Sequence, residues 1–277
     1  MSVSRILRRV ALLAGGAMVL WAAWTGVSLL FLPPVAPLAD PKASFGITVK
    51  DWRRKDRPFV VGPRNPHWTA VSSVPAYLRN AVIVSEDANF YSHEGVDHEA
   101  IRDAIKDDLR KGRLARGGST ITQQLAKNLF LSRERTISRK VKEYVLARRI
   151  DDRLSKSRIL ELYLNVVELG PMVYGVGHAS AYYFGKKPSE LTLRESSFLA
   201  AMLPGPRVYN PYRKLGRVMA RSDRILRRMF AAGMVTEEEY RAALAEVPSI
   251  EGLERKVGRT LDSPSPGEDT GEADRSR

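Results

Sequence analysis

The chain has 277 residues, with 45 Lys+Arg against 31 Asp+Glu and a formal charge of +14; such a balance suits a polyanionic partner such as nucleic acid, anionic lipid headgroups or a phosphate-bearing substrate. It contains no cysteine, which excludes a disulfide framework, zinc–thiolate sites and a cysteine nucleophile. Neither zinc-finger spacing nor an aromatic–basic RNA-binding pattern is present, so the charge does not point to nucleic acid.

Residues 1–9 carry Arg5, Arg8 and Arg9, and residues 10–32, VALLAGGAMVLWAAWTGVSLLFL, then run without a charge. Roughly 20 apolar residues span a bilayer as a helix. A buried core helix is seldom apolar on every side for so long. A cleaved signal peptide would carry a shorter apolar run, about 7–15 residues, and a small-x-small site. Here PPVAPLAD follows, with proline at the −3 position for either alanine. The reading is a single uncleaved transmembrane anchor at 10–32, with a cytoplasmic tail at 1–9 and everything after residue 33 outside. Trp21 and Trp24 are candidate interface markers, although both lie toward the middle of the run.

Residues 33–74 read as an extracytoplasmic linker, rich in proline, with a basic knot DWRRKDR and a candidate strand at FVVG. The knot suits either anionic headgroups, at about 1 kcal/mol per basic residue, or a solvated loop.

From Pro75 the pattern turns helical, and residues 75–250 read as one mostly helical domain. Pro75 suits a first helical position. Leu78, Val82 and Glu86 recur at i, i+4 and i+8, so Glu86 continues an apolar stripe. Residues 98–116 form a marginal amphipathic helix on Ile101, Ile105 and Leu109, either a surface helix or a mobile one that touches lipid. Gly117-Gly118 breaks the chain. Thr120 and Gln123 then fit a capping box. Further helices are expected at 133–154, 156–168, 179–184, 193–203, 214–232 and 236–245, with stops at Gly170-Pro171, Pro204-Gly205-Pro206 and Gly233. The tail 251–277, above all from Asp262, lacks bulky apolar residues and reads as disordered.

Three clusters are candidates for chemistry. The first is Glu86, Asp87, Phe90 and His93. A carboxylate on an apolar face is desolvated, which raises its pKa toward the range of a general acid or base; the plain alternative is a helix end at the surface. The second is Thr120, Gln124 and Lys127, at i, i+4 and i+7, with Asn128 beside them; a solvated stripe is the alternative. The third is Arg139, Lys140 and Glu143 on one helix face. Two cations with one carboxylate clamp a phosphate or pyrophosphate, and an exposed ion pair is the alternative. His93 and His98 are five apart and miss the i, i+4 spacing of a zinc-protease helix, so no metal site is expected. Nucleophile-elbow and P-loop patterns do not occur.

Taken together, these stretches resemble the peptidoglycan glycosyltransferases of glycosyltransferase family 51. EDANFYSHEGVD is similar to that family's first motif, GGSTITQQLAKNLFL to the second and RKVKE to the third. RILELYLNVVELG and YGVGHASAYYFGK resemble the fourth, and SFLAAMLPGPRVYNPYR the fifth. Order and spacing agree from Pro75 to Arg213. The resemblance implies a mainly α, lysozyme-like domain in the periplasm, behind an anchor in the bacterial inner (plasma) membrane. It implies polymerisation of lipid II, with inversion, by transfer of the growing glycan chain from polyprenyl pyrophosphate to the acceptor 4-hydroxyl. Glu86 would be the general base, and Glu143 would orient the donor or assist the leaving group, directly or through Mg²⁺ or Mn²⁺. Lys127, Arg139 and Lys140 would hold the pyrophosphate. Thr120, Gln124 and Asn128 would line the donor side, while Asp87, Phe90 and His93 shape the first motif. Implied partners are lipid II, the growing glycan, membrane lipids, and cell-wall synthesis and division proteins. A lysozyme-like cleaving enzyme and a noncatalytic binder of anionic lipid or glycan are the alternatives. About 60 residues follow the fifth motif, without S-x-x-K or K-T-G, so a monofunctional enzyme insensitive to penicillins is expected. The fourth motif stands between the monofunctional and bifunctional patterns.

Overall fold

A computed structural model describes residues 3–51, 55–111, 118–132, 134, 136–205 and 208–252. The first helix, α1, runs Val3–Leu30, so from Val3 the expected tail is already part of it. Its stretch Ala11–Leu30 has a mean hydropathy of 1.6 over 20 residues. At 1.5 Å per residue that is about 30 Å, the thickness of a bilayer's hydrocarbon core. The far end of α1 meets the domain at Thr25, a buried residue whose Oγ1 donates to Ser138 Oγ at 3.4 Å.

Segment 33–74, expected as a linker, is packed onto the domain. Strands β1 (Phe45–Lys50) and β2 (Asp56–Val61) form an antiparallel hairpin. Val35, Leu38, Val61 and Val74 join the main core. Helix α6, Lys156–Val166, ties the rest down. The Asn165 amide accepts from Thr69 N–H and donates to Thr69 C=O, both at 2.8 Å. Glu161 accepts from Val71 N–H at 2.8 Å, and Arg158 donates to the carbonyls of Leu38 at 2.9 Å and Asp40 at 3.0 Å. Irregular backbone stays buried here because side chains of α6 satisfy its polar groups. Of the basic knot, Trp52, Arg53 and Arg54 lie outside the described residues.

Helix α2, Ala76–Glu86, uses Pro75 as its N-cap, one position before the expected one, and buries Leu78, Ala81, Val82, Ile83 and Val84. Helix α3 spans His98–Lys111, and the rest of the expected helix, 112–116, lies outside the described residues. Its start is capped by Asp97, which accepts from Ala100 N–H and from the Asn89 amide, both at 2.8 Å. Burial alone would raise the Asp97 carboxyl, but these bonds together hold it below the usual range. Helix α4, Ile121–Phe130, begins at the expected Thr120–Gln123 capping box. Helix α5 spans Ile137–Arg153.

The helix expected to reach Glu168 stops at Val166. Glu168–Gly170 (β3) instead pairs with Val173–Tyr174 (β4) across an irregular register. Gly175 follows β4 and caps the next helix: it has φ +79°, and a Cβ there would lie 2.7 Å from Asn165 C=O. Helices α7 (Val176–Phe184), α8 (Leu193–Met202), α9 (Pro211–Ala231) and α10 (Glu237–Ala245) complete the domain. Every residue of α8 is buried, and it packs between α2 and α9. Helix α4 packs on α5 and α6. Of the tail expected as disordered at 251–277, residues 253–277 lie outside the described residues.

Candidate active site

The end of α2, the face of α4, the first turns of α5 and the middle of α9 converge. Glu86 is the last residue of α2, where the apolar stripe leads it into the interior. Its side chain is 8% exposed. Gln124 Nε2 donates to Glu86 Oε2 at 3.0 Å, and Tyr163 Oη donates to Gln124 Oε1 at 3.1 Å. The Tyr163 hydroxyl is kept well above its ordinary pKa by burial and then by the nearby Glu86 and Asp87 charges, so it stays a donor and fixes the Gln124 amide. From α9, Arg221 Nη2 lies 3.7 Å from Glu86 Oε1, and its guanidinium sits over the Tyr209 ring at 5.5 Å. Sequence spacing singled out neither Tyr163 nor Arg221.

Asp87 points the other way. It accepts from Ile121 N–H at 2.9 Å, at the start of α4, and from His93 Nε2 at 3.0 Å. A carboxylate at a helix N-terminus is held by the unsatisfied N–H groups and the helix dipole. His93 Nδ1 is buried without a partner, so the ring carries its proton on Nε2 toward Asp87. Phe90 is fully buried, with Lys156 Nζ 5.0 Å from its ring centroid. Gly95 closes the motif: it has φ +79°, and a Cβ would come within 2.6 Å of Ala147 C=O on α5. Thr120 Oγ1 donates to Gly95 C=O at 2.6 Å while accepting from Gln123 N–H at 3.1 Å. Thr120 is therefore a buried joint between the first motif and α4, and its hydroxyl is fully used. The expected stripe of Thr120, Gln124 and Lys127 thus divides into one cap and two residues that line the cleft.

Glu143 is buried and both of its oxygens are taken. Arg139 Nη1 donates to Oε2 at 2.7 Å, and Lys140 Nζ donates to Oε1. Lys140 Nζ also donates to Ser119 Oγ at 2.7 Å. Among the described residues Lys127 makes no hydrogen bond or ion pair. Burial lowers its pKa, with Arg139 and Lys140 acting in the same direction and Glu143 and Glu86 opposing them. A desolvated ammonium with no direct partner favours binding of an anion. Lys127, Asn128, Gln124 and Arg139 line a cleft of about 550 Å³, within the range of small-ligand sites.

Among the described residues no group of three or more His, Asp or Glu is arranged to hold a metal.

Lys127 and Arg139 line the cleft and the Glu86 carboxylate is bonded to its wall through Gln124; a base to take a proton and cations to hold an anion are the two needs of an enzyme that moves a group off a phosphate-bearing donor. The sequence model of the family described as Transglycosylase matches residues 57–230. The chain is 44% identical over 165 residues to a biosynthetic peptidoglycan transglycosylase of Herminiimonas arsenicoxydans, covering 60% of this chain and 71% of that protein. It is 40% identical over 228 residues to penicillin-binding protein 1A of Aquifex aeolicus (strain VF5), covering 80% of this chain and 31% of that protein. A crystal structure of penicillin-binding protein 1A from Haemophilus influenzae overlaps at a TM-score of 0.40 and 24% identity, over 75% of this chain and 21% of that one. The chain belongs to the transglycosylase family. It spans less than a third of the penicillin-binding proteins 1A of Aquifex aeolicus and Escherichia coli, at 31% and 20% of their lengths.

Proposed function

We propose that this transglycosylase is a peptidoglycan glycosyltransferase that polymerises lipid II. The observation that carries the reading is the placement of Glu86. It ends an apolar helix stripe, is held by Gln124, and stands near a cleft lined by the unpartnered Lys127.

Glu86 takes the proton of the acceptor 4-hydroxyl. The oxygen attacks C1 of the donor sugar from the face opposite the leaving group, so the configuration inverts. The C1–O bond to the lipid pyrophosphate breaks, and the pyrophosphate departs with the bonding electrons. Lys127 receives that charge, with Arg139 and Lys140 beside it. Fixed cations aimed at developing charge are among the largest contributions to catalysis. Glu143 orders Arg139 and Lys140 into one geometry and acts as a positioning residue. Asp87, His93, Phe90 and Thr120 keep the first motif locked to the start of α4, and Asn128 lines the donor side. The growing glycan is the donor and lipid II the acceptor.

The anchor α1 keeps the cleft at the membrane where lipid-linked substrates reside. Its amino end lies in the cytoplasm and the domain outside. The exposed Ile105 and Leu109 of α3 support a lipid-facing role for that helix, and the partners are lipid II, the growing glycan, membrane lipids and other cell-wall synthesis and division proteins.

The test offers the purified full chain lipid II in one assay and finished glycan in another. Growth of chains from lipid II supports the reading. Shortening of finished glycan without growth would make the enzyme a hydrolase, and binding without either would make it a noncatalytic binder.

A further inference from the structure

The hairpin β1–β2 has an unpaired edge that faces the cleft. Asp51 N–H donates to Lys55 C=O at 2.9 Å, and hydrogen-bonded and non-bonded pairs alternate along an antiparallel ladder. In the register Val49↔Arg57, Thr48↔Pro58, Ile47↔Phe59, Thr48↔Pro58 is then a non-bonded pair. Pro58 has no N–H in any case. The backbone N–H and C=O of Thr48 therefore point away from β2.

Two other groups of the same parity agree with this assignment. Val60 C=O accepts from the Asn65 amide at 2.8 Å, and Lys50 C=O accepts from Tyr174 Oη at 3.4 Å. Both partners lie outside the hairpin. Tyr174 also lines the cleft, as do the consecutive residues Ile47, Thr48, Val49 and Lys50, while no residue of β2 does. A strand that lines a cleft with consecutive residues presents its edge rather than one face. On that edge Lys50 C=O has its partner, and the peptide groups of Thr48 have none among the described residues.

We propose that the free edge of β1 at Thr48 recognises the acetamido groups of the donor sugars. The proposal rests on the glycosyl-transfer reading above. Lys127 and Arg139 line the same cleft and take the pyrophosphate on C1. The 2-acetamido group sits on the neighbouring carbon. The N–H and C=O of an acetamide point in opposite directions, as in a trans peptide unit, so its C=O turns to the open edge and accepts from Thr48 N–H, one bond of the kind an added strand would make. Strand β1 ends at Lys50, before the stretch matched by the family's sequence model begins at residue 57.

The test compares initial polymerisation rates on lipid II and on a donor analogue with a 2-hydroxyl in place of the acetamido group. Each is offered to the wild type, Thr48→Pro and Thr48→Val, all as full chains. Thr48→Pro removes the outward N–H at a position that makes no ladder bond, while Thr48→Val keeps it. The wild type and Thr48→Val should prefer the acetamido donor roughly tenfold, the effect of one neutral hydrogen bond. Thr48→Pro should lose most of that preference. If Thr48→Pro slows both donors alike and keeps the preference, the proposal is overturned. Amide exchange on the wild type gives a second readout that needs no proline variant: Thr48 N–H should slow with the acetamido donor and not with the 2-hydroxyl one, and equal exchange with both overturns the proposal. If the wild type makes no polymer from lipid II, the glycosyl-transfer reading fails and this proposal with it; polymer made with an unchanged ratio in Thr48→Pro defeats this proposal alone.

Discussion

Gln124 Nε2 donates to Glu86 Oε2 at 3.0 Å. This bond joins the middle of α4 to the end of α2. It fixes the second carboxylate oxygen and leaves Oε1 beside Ser85 and Arg221, at 3.3 and 3.7 Å. A general base works only when its lone pair is aimed at the proton it takes, so Gln124 is a positioning residue for Glu86. The variant Gln124→Leu should lower kcat by roughly 10- to 100-fold, part of the 10²–10⁴ ascribed to general-base catalysis, with little change in KM. Steady-state kinetics on lipid II check this. A rise in KM at constant kcat would mean that Gln124 binds substrate instead.

Lys127 predicts the alkaline behaviour. Burial lowers its pKa, and Arg139 and Lys140 add to the effect. Because the native pKa lies below the unfolded one, the charged form costs stability in full below the native value, and that cost disappears as pH rises from the native value through the unfolded one. Pyrophosphate binding needs the charged form. The alkaline limb of kcat/KM should therefore fall below the ordinary lysine value of about 10.4. Lys127→Arg should move the limb upward, since a guanidinium keeps its proton. A pH–rate profile that does not move contradicts the assignment.

The α8–α9 contact predicts a stability effect next to the site. Arg194 is buried, with its Nη1 2.6 Å from Asp223 Oδ1 and 3.2 Å from Ser222 Oγ. Asp223 lies two residues from Arg221. Removing one partner of a buried pair costs about 3–5 kcal/mol. Asp223 is 40% exposed, so water relieves part of that penalty, and Asp223→Ala should cost about 2 kcal/mol. Thermal unfolding of the solubilised protein measures it. Arg194→Met with Asp223→Ala should recover part of the loss.

A second pH effect belongs to stability alone. His67 and His178 stack with ring centroids 4.5 Å apart. Burial lowers the His178 pKa, and His67 adds to this. The native pKa then lies below the unfolded value of about 6.5, and the unfolded chain binds more protons between the two. The stacked pair's contribution is present above pH 6.5 and is lost as pH falls through that value toward the native one. His178→Phe keeps a ring in place without the titration, so its melting temperature should drop less between pH 8 and pH 5 than that of the wild type. An equal drop in both proteins counts against the pair.

The helices and the third cluster were legible in the sequence because their signals are local. Capping boxes, glycine stops and i, i+3, i+4 pairs depend on residues a few positions apart, and α4, α10 and the Arg139–Lys140–Glu143 group follow from them. Glu86 stood out because a carboxylate occupies the next position of the apolar stripe of Leu78 and Val82. Contacts between distant segments were not legible. Arg221 is one of several arginines on α9, and only the fold of α9 against α2 brings it to Glu86. Tyr163 reads as a core aromatic until its hydroxyl is seen on Gln124. Segment 33–74 looked like a linker because α6 side chains, rather than a periodic pattern of its own, satisfy its backbone. The β3–β4 pair escaped notice because a strand of three residues and another of two carry no period.

The most direct measurement compares the wild type with Glu86→Gln on lipid II, following both polymer formation and substrate binding. Gln keeps the shape of Glu86 and removes its basicity. The wild type should build polymer, while Glu86→Gln binds lipid II with near-normal affinity and builds none. If Glu86→Gln polymerises lipid II as fast as the wild type, Glu86 is not the base and the central claim is wrong.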